Sequence, residues 1–367
     1  MKQAIAELEK QLPVWMETAV IPGLSLAIIH EGEMAWMRGY GVADMNTKEV
    51  VTTETVFEAA SLTKPLYAAA ILQLVEDGLL DLDTPLLTYL PEAEQQAERL
   101  FDREEDAAEY LFGYVPNEPC LHQLTLRHIL SHTPGFPNWT DSGEPLRFFF
   151  TPGARFSYSG DGYNMLQKIV ARVTDQNPAV MMQERLLGPL GMAHSGLTSQ
   201  GVAGLHVAAK HDEEGEIESQ SEWKTMYAAA SLHTTAPDYG RFLLSLLNPN
   251  SSNPACLQPE TIAQLWQPQV QVNWNVPWSD NWPIEKPELL PDVAWGLGWG
   301  LQMSDGRLAF WHWGDNGSFK AFTLGFPDVG SAVVMLSNSK NGDTLWQPIL
   351  QRLYDGDYPA LDWLENC

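Results

Sequence analysis

The sequence predicts an α/β fold of the layered α+β kind, in which an antiparallel sheet built from both chain ends is flanked by helices and carries an inserted, mostly helical domain. Three observations predict it. Strand-like runs occur near the start, in 24–44, and again near the end, in 307–338. Between them the chain reads as one helical segment after another, so the sheet must be assembled from the two ends. With 367 residues, 44% of them hydrophobic, the chain can bury one large core or two unequal ones. The expected sheet domain is 1–60 with 236–367, the expected helical domain is 61–235, and the cleft between them is the natural place for a site.

Each element has its own signal. The opening "MKQAIAELEKQLPVWMETAV" alternates charged and apolar residues as an amphipathic helix does. "LSLAIIHEGEMAWMRGYGVAD" holds two β-rich runs around Glu31-Gly32, a hairpin pattern. "LYAAAILQLVEDG" is apolar nearly all round and stops at Gly78, as a buried helix with a glycine C-cap would. In 92–111, Ala93, Ala97, Leu100, Phe101, Ala108 and Leu111 recur at helical spacing among acids, which reads as a solvated surface helix. Further helices are expected at "TLRHILSH", "GYNMLQKIVARVTD", "PAVMMQERLL", "APDYGRFLLSLLN" and "PETIAQLWQ". The stretch 266–299, rich in Trp and Pro, reads as a long surface loop. "RLAFWHWG", "KAFTLGF" and "SAVVMLSN" return to strands, with turns at Ser304-Asp305-Gly306 and Pro327-Asp328, and a last helix follows near 345–354.

Composition excludes several classes. A formal charge of −26 repels polyanions, so nucleic acid and anionic membranes are not expected partners. No apolar run reaches membrane-spanning length. Cys120, Cys256 and Cys367 are odd in number and scattered, which is neither a disulfide framework nor a zinc motif. The N-terminal segment has no apolar h-region, so the chain as given reads as cytoplasmic; a leader removed beforehand would make it periplasmic or secreted.

The common catalytic constellations are mostly missing. "GLSLA" at 23–27 lacks the second glycine of a nucleophile elbow and runs into a strand. "GLGWG" at 296–300 reads as glycines in a strand or bulge, not a dinucleotide loop. His128 and His132 have metal-ligand spacing on an expected helix, but no partner glutamate or third ligand accompanies them, so no metal and no cofactor are expected.

Ser61-Leu62-Thr63-Lys64 remains. At a helix start, residues three apart share a face, so Lys64 Nζ can reach Ser61 Oγ. The positive end of the helix favours a developing alkoxide, and a buried lysine should have a lowered pKa and take the serine proton. Ser61 could equally be a plain N-cap, since serine is favoured there. Company in the right order favours the nucleophile. Tyr158 lies in "RFSYSGDGYNMLQKIV", just before a helix, and His312 lies in "FWHWGDNGSF", at a strand end beside glycine.

On these residues the chain resembles the serine β-lactamase and penicillin-binding-protein-like hydrolases. It is most similar to the branch that holds class C β-lactamases, D-alanyl-D-alanine carboxypeptidases, D-aminopeptidases and lactamase-like esterases. "IPGLSLAIIHEGE", "VFEAASLTKPLYAAAILQLVEDGLLDLDTPL", "LTLRHILSHTPGFP", "FSYSGDGYNMLQKIV", "HTTAPDYGRFLLSLLN" and "HWGDNGSF" all match in family order, over most of 20–340. The resemblance implies the β-lactamase/transpeptidase-like fold, Ser61 as nucleophile with Lys64, and Tyr158 at the Tyr of Tyr-x-Asn. His312-Trp313-Gly314 stands at Lys-Thr-Gly, and "RHILSHTPG" becomes a scaffold element. It also implies acyl transfer, with the oxyanion accepting N–H bonds from Ser61 and Asp315. Either Lys64 or Tyr158 could be the base.

Two departures bear on the substrate. Gly160 stands where the family's Asn donates to an acyl-amide, and a glycine has no side chain to donate. His312 and Trp313 stand where the family has a permanent charge and a small hydroxyl; a histidine is only partly charged near neutrality. Trp313 either shapes the site or, because neighbours on a strand alternate, packs on its far face. Both departures favour an ester or small-amide hydrolase, with small-molecule ester, amide or peptide substrates. The alternatives are a β-lactamase or D-Ala-D-Ala carboxypeptidase, and a non-catalytic binding protein on the same fold, which would have no need of Ser61, Lys64 and Tyr158 together.

Overall fold

The computed structural model describes residues 1–101, 115–141, 143–220, 222–248, 252–274 and 288–366. The chain opens with α1 (Lys2–Thr18) and a hairpin of β1 (Gly23–His30) and β2 (Glu33–Gly41). The hairpin turns on Glu31 and Gly32, both with positive φ (53° and 76°), the mirror-image turn whose twist suits paired strands. β3 (Phe57–Ala60) leads into α2 (Thr63–Glu76). The middle holds α3 (Glu92–Gln95), the short pair β4 (Arg99–Leu100) and β5 (Val115–Pro116), α4 (Leu126–Leu130), α5 (Gly160–Thr174) and α6 (Pro178–Met182). β6 (Leu232–Thr234), α7 (Ala236–Leu247) and α8 (Pro259–Leu265) follow. The chain ends with β7 (Val270–Asn273), β8 (Leu289–Trp295), β9 (Gly300–Ser304), β10 (Arg307–Asp315), β11 (Lys320–Phe326), β12 (Ser331–Ser337), α9 (Trp346–Leu353) and α10 (Pro359–Glu365).

Both chain ends build the main sheet, as expected. Its order is β2-β1-β12-β11-β10-β9-β8-β7, and β1 pairs antiparallel with β12, Ala27 opposite Val334. Alternation along the strands divides the core. Ala27, Ile29, Val334 and Leu336 face the cluster that contains α2 and α7. Leu26, Ile28, Val333 and Met335 face the cluster of α1, α9 and α10. β3 pairs with β6 in a separate two-stranded sheet, Phe57 opposite Thr234, and also contacts β10, so the end of β3 meets the main sheet. α2 is buried on every side from Thr63 to Leu74, which is why its sequence shows no polar face.

Two expectations fail. The surface helix over 92–111 stops at Gln95: Leu100 pairs in β4 and is buried with Phe101, and the remainder from 102 lies outside the described residues. The loop over 266–299 contains β7 and β8, the outer strands of the main sheet; 275–287 lies outside the described residues. Proline at 291 is tolerated in β8 while Leu290, Val293 and Trp295 are buried in the α1/α9/α10 cluster. Tertiary pairing, not local composition, decides such a segment. No described helix is long and apolar enough to cross a membrane.

Candidate active site

The site is built around the turn from β3 into α2. Ala60 has φ 47°, a left-handed conformation that a residue with a Cβ avoids, and neighbouring bonds hold it there. Thr63 Oγ1 donates to the Ala60 carbonyl (2.6 Å) and accepts from the N–H of Leu232 on β6 (2.9 Å). α2 begins at Thr63, its N-cap is Leu62, and no side chain caps it. Ser61 is therefore not a helix cap. Its Oγ instead lies 2.9 Å from Lys64 Nζ.

Lys64 is fully buried, and its Nζ also donates to the Ala229 carbonyl (2.8 Å). Gln167 on α5 fixes that loop by accepting from Ala228 N–H (2.6 Å) and donating to the Met226 carbonyl (2.8 Å). The Nζ sits 4.7 Å from the Tyr158 ring centre and 5.8 Å from that of Trp139. Burial holds the Lys64 amine well below the usual lysine range, while the charge of Asp161 opposes this. A neutral amine here can accept a proton from Ser61.

Tyr158 precedes α5, whose N-cap is Ser159, accepting from the Gly162 N–H (3.0 Å). Ser159 N–H donates to His132 Nδ1 (3.0 Å), so the neutral imidazole carries its proton on Nε2. The His132 and Tyr158 rings lie 4.2 Å apart. α4 ends at Leu130, so His132 is not on one helix with His128. Burial pushes the Tyr158 phenol far above its usual range, against a hydrogen bond with Ser61. Tyr158 is thus a neutral phenol poised to give a proton and poorly suited to start as a phenolate.

The opposite wall comes from β10. His312 is fully buried and lies behind Tyr158, 6.1 Å between ring centres, and does not line the cleft; its Nδ1 donates to the Trp313 carbonyl (2.7 Å). Burial holds His312 well below the usual histidine range. The expectation of a partly charged His312 is therefore corrected: no cation stands there at neutral pH. Trp313 combines both readings of its position. It shares a face with Trp311, meets Trp363 of α10 (5.6 Å), and still lies 4.5 Å from the Tyr158 ring, lining the cleft. Gly314 is required by close approach, since a Cβ there would collide with the Ala59 carbonyl. Asp315 lines the cleft and accepts from Lys320 Nζ (2.6 Å) and Gly317 N–H (2.8 Å).

The resulting cleft measures about 380 Å³ and is walled by Trp139, Tyr158, Trp313 and Trp346. Asp315 and Asp343 add two carboxylates, and no described lysine or arginine joins the lining. Gly160 leaves room that Trp139 occupies: a Cβ at 160 would fall 2.6 Å from the indole. Sequence reasoning missed Asn138, Trp139, Asp161, Asp343 and Trp346. Asp161 had a signal, an acid in the first turn of α5 beside Tyr158. Trp346 and Asp343 had none, because they come from the far C-terminal segment. Among the described residues no group of three or more His, Cys, Asp or Glu could hold a metal ion.

A family model described as Beta-lactamase matches residues 3–353. "Protein flp" of Staphylococcus aureus (strain NCTC 8325 / PS 47) is 24% identical over 251 residues, 62% of this chain and 46% of that protein. "Esterase EstB" of Burkholderia gladioli is 29% identical over 205 residues, 48% of this chain and 47% of that protein. The chain thus spans about half the length of these two relatives. Among solved structures, D-alanine carboxypeptidase AmpC from Burkholderia cenocepacia superposes with a TM-score of 0.71 at 19% identity, covering 96% of this chain and 98% of that one. At that identity the likeness concerns the fold alone.

Proposed function

The chain belongs to the beta-lactamase family, and from that premise we propose that it is a serine hydrolase that works through an acyl-enzyme on Ser61, with ester or uncharged amide substrates. The observation that carries this reading is the fully buried Lys64 amine 2.9 Å from the Oγ of Ser61, which lines an open cleft; burial holds that amine well below the usual lysine range.

In this mechanism Lys64 Nζ takes the Ser61 proton as Oγ bonds to the substrate carbonyl carbon. The oxyanion accepts N–H bonds from Ser61 and Asp315; losing one such donor typically costs about 2.7–4 kcal/mol. The neutral Tyr158 phenol relays the proton to the leaving group, whose bond to the carbonyl carbon then breaks. Water, deprotonated by the same amine, hydrolyses the ester on Ser61. The opposite pKa displacements of Lys64 and Tyr158 favour Lys64 as the base. Gly160 and Gly314 let walls approach closely, and His312 packs behind Tyr158.

The charge of the cleft supports esters or uncharged amides. A carboxylate-bearing substrate would meet Asp343 and an Asp315 already paired with Lys320, with no lysine or arginine among the described lining residues and His312 neutral. The relative named as an esterase supports the same choice. A fluorophosphonate should label Ser61, read by mass spectrometry, and Ser61→Ala should lose both labelling and hydrolysis of p-nitrophenyl butyrate. A Ser61→Ala variant that keeps wild-type hydrolysis refutes the assignment. A nitrocefin kcat/KM far above that for the butyrate ester would make the protein a β-lactamase instead.

A further inference from the structure

We propose that Asn138 is a substrate-binding residue, and that its side-chain amide makes the cleft select acyl groups that carry a carbonyl acceptor, such as an amide, near the scissile bond. This rests on the acyl-enzyme reading above.

Hydrogen bonding sets the orientation of the amide. Gly160 N–H donates to Asn138 Oδ1 at 3.0 Å. Only the oxygen of an asparagine amide can accept, so Nδ2 must point the other way. The Asn138 backbone is held too, because its carbonyl accepts from the N–H groups of Gly160 and Asp161, both at 3.1 Å. Trp139 packs against Gly160, where a Cβ would fall 2.6 Å from the indole. Asn138 is only 8% exposed, yet it lines the same cleft as Ser61. Among the described residues its Nδ2 donates to no partner.

A fixed N–H donor on the wall of a catalytic cleft recognises an oxygen acceptor. A half-filled donor of this kind also rejects a ligand that brings only hydrocarbon, since the N–H then loses water and gains nothing. Asn138 lines the cleft with Ser61, and the acyl group, which stays bonded to Ser61 from acylation to deacylation, is the part of the substrate that such a fixed donor serves in both steps. Gly160 thus does not leave the acyl subsite without a donor. The donor comes from residue 138, and the glycine is what lets the Asn138-Trp139 pair seat against the start of α5.

The test uses two esters with one leaving group: p-nitrophenyl N-acetylglycinate and its hydrocarbon isostere p-nitrophenyl 4-methylpentanoate. Each kcat/KM is divided by the ester's spontaneous hydrolysis rate, and the ratio of the two is compared between proteins. Asn138→Asp keeps an oxygen for the Gly160 N–H and removes the donor; Asn138→Ala removes both. The ratio should fall about tenfold in each variant, the worth of one hydrogen bond. A loss of packing alone would lower both esters together and leave the ratio unchanged, and that result overturns the assignment. If wild-type protein hydrolyses neither ester and Ser61 takes no label, the hydrolase reading itself fails and the assignment falls with it.

Discussion

Replacing Asp161 by Asn should make the protein more stable, by an amount that grows with pH. Asp161 opens α5 close behind Tyr158 and is fully buried. Burial pushes its carboxyl from 3.8 to about 7, against the Thr140 hydrogen bonds and the charges of Lys168 and Lys64. A carboxyl whose folded pKa lies above its unfolded one binds its proton more tightly when folded. Its contribution is therefore intact below pH 3.8, is lost as pH rises to about 7, and is constant above. At about 1.4 kcal/mol per pKa unit, ionised Asp161 costs the fold about 4 kcal/mol. About 2 kcal/mol of that cost appears between pH 5.5 and 8. Asparagine keeps an acceptor for the Thr140 N–H, which Asp161 Oδ2 binds at 2.7 Å, and carries no charge to desolvate. Urea denaturation of wild type and variant at pH 5.5 and pH 8 gives the difference directly, with titrating groups remote from Asp161 cancelling. The variant's advantage should widen by about 2 kcal/mol across that interval. An advantage that stays constant with pH, or a variant less stable at pH 8, refutes the reasoning. The same substitution removes the charge that holds the Lys64 pKa up, so the acid limb of the kcat/KM profile should move to lower pH.

Two further outcomes follow from the same geometry. Lys64→Met should lower acylation by at least about 10²–10⁴-fold while raising Tm, because an apolar chain replaces an amine that must shed its proton to be buried; a lower Tm would contradict the neutral-amine assignment. Gly160→Asn, which restores the side chain usual in the family, should cost about 1–3 kcal/mol of stability by driving a Cβ into Trp139, so denaturant melts that match wild type would show the indole is not seated there.

Local signals carried the proposed nucleophile and base into view. Ser61 and Lys64 are three residues apart at a helix start, and that spacing alone puts them on one face. The all-round apolarity of 66–74 announced the burial of α2, and Glu31-Gly32 announced the hairpin, because both patterns depend on near neighbours. Tyr158 and the β10 strand were legible as separate motifs in a recognisable order. What lies across space was not. The neutrality of Lys64 and His312 is a property of the apolar surroundings that other elements supply, so no spacing could reveal it. β8 became a strand because β9 offered it a partner, and β7 because β8 did, against a local composition rich in Trp and Pro. Asp343 and Trp346 reach the cleft from the far end of the chain, and Trp139 fills the room that Gly160 leaves. The sequence by itself determined the Ser61–Lys64 pairing at the start of α2 and the strands at both chain ends, because those rest on short-range spacing and periodicity. Only the tertiary structure decided the charge, volume and donors of the cleft, because desolvation and contact are set by whichever distant residues the fold packs there.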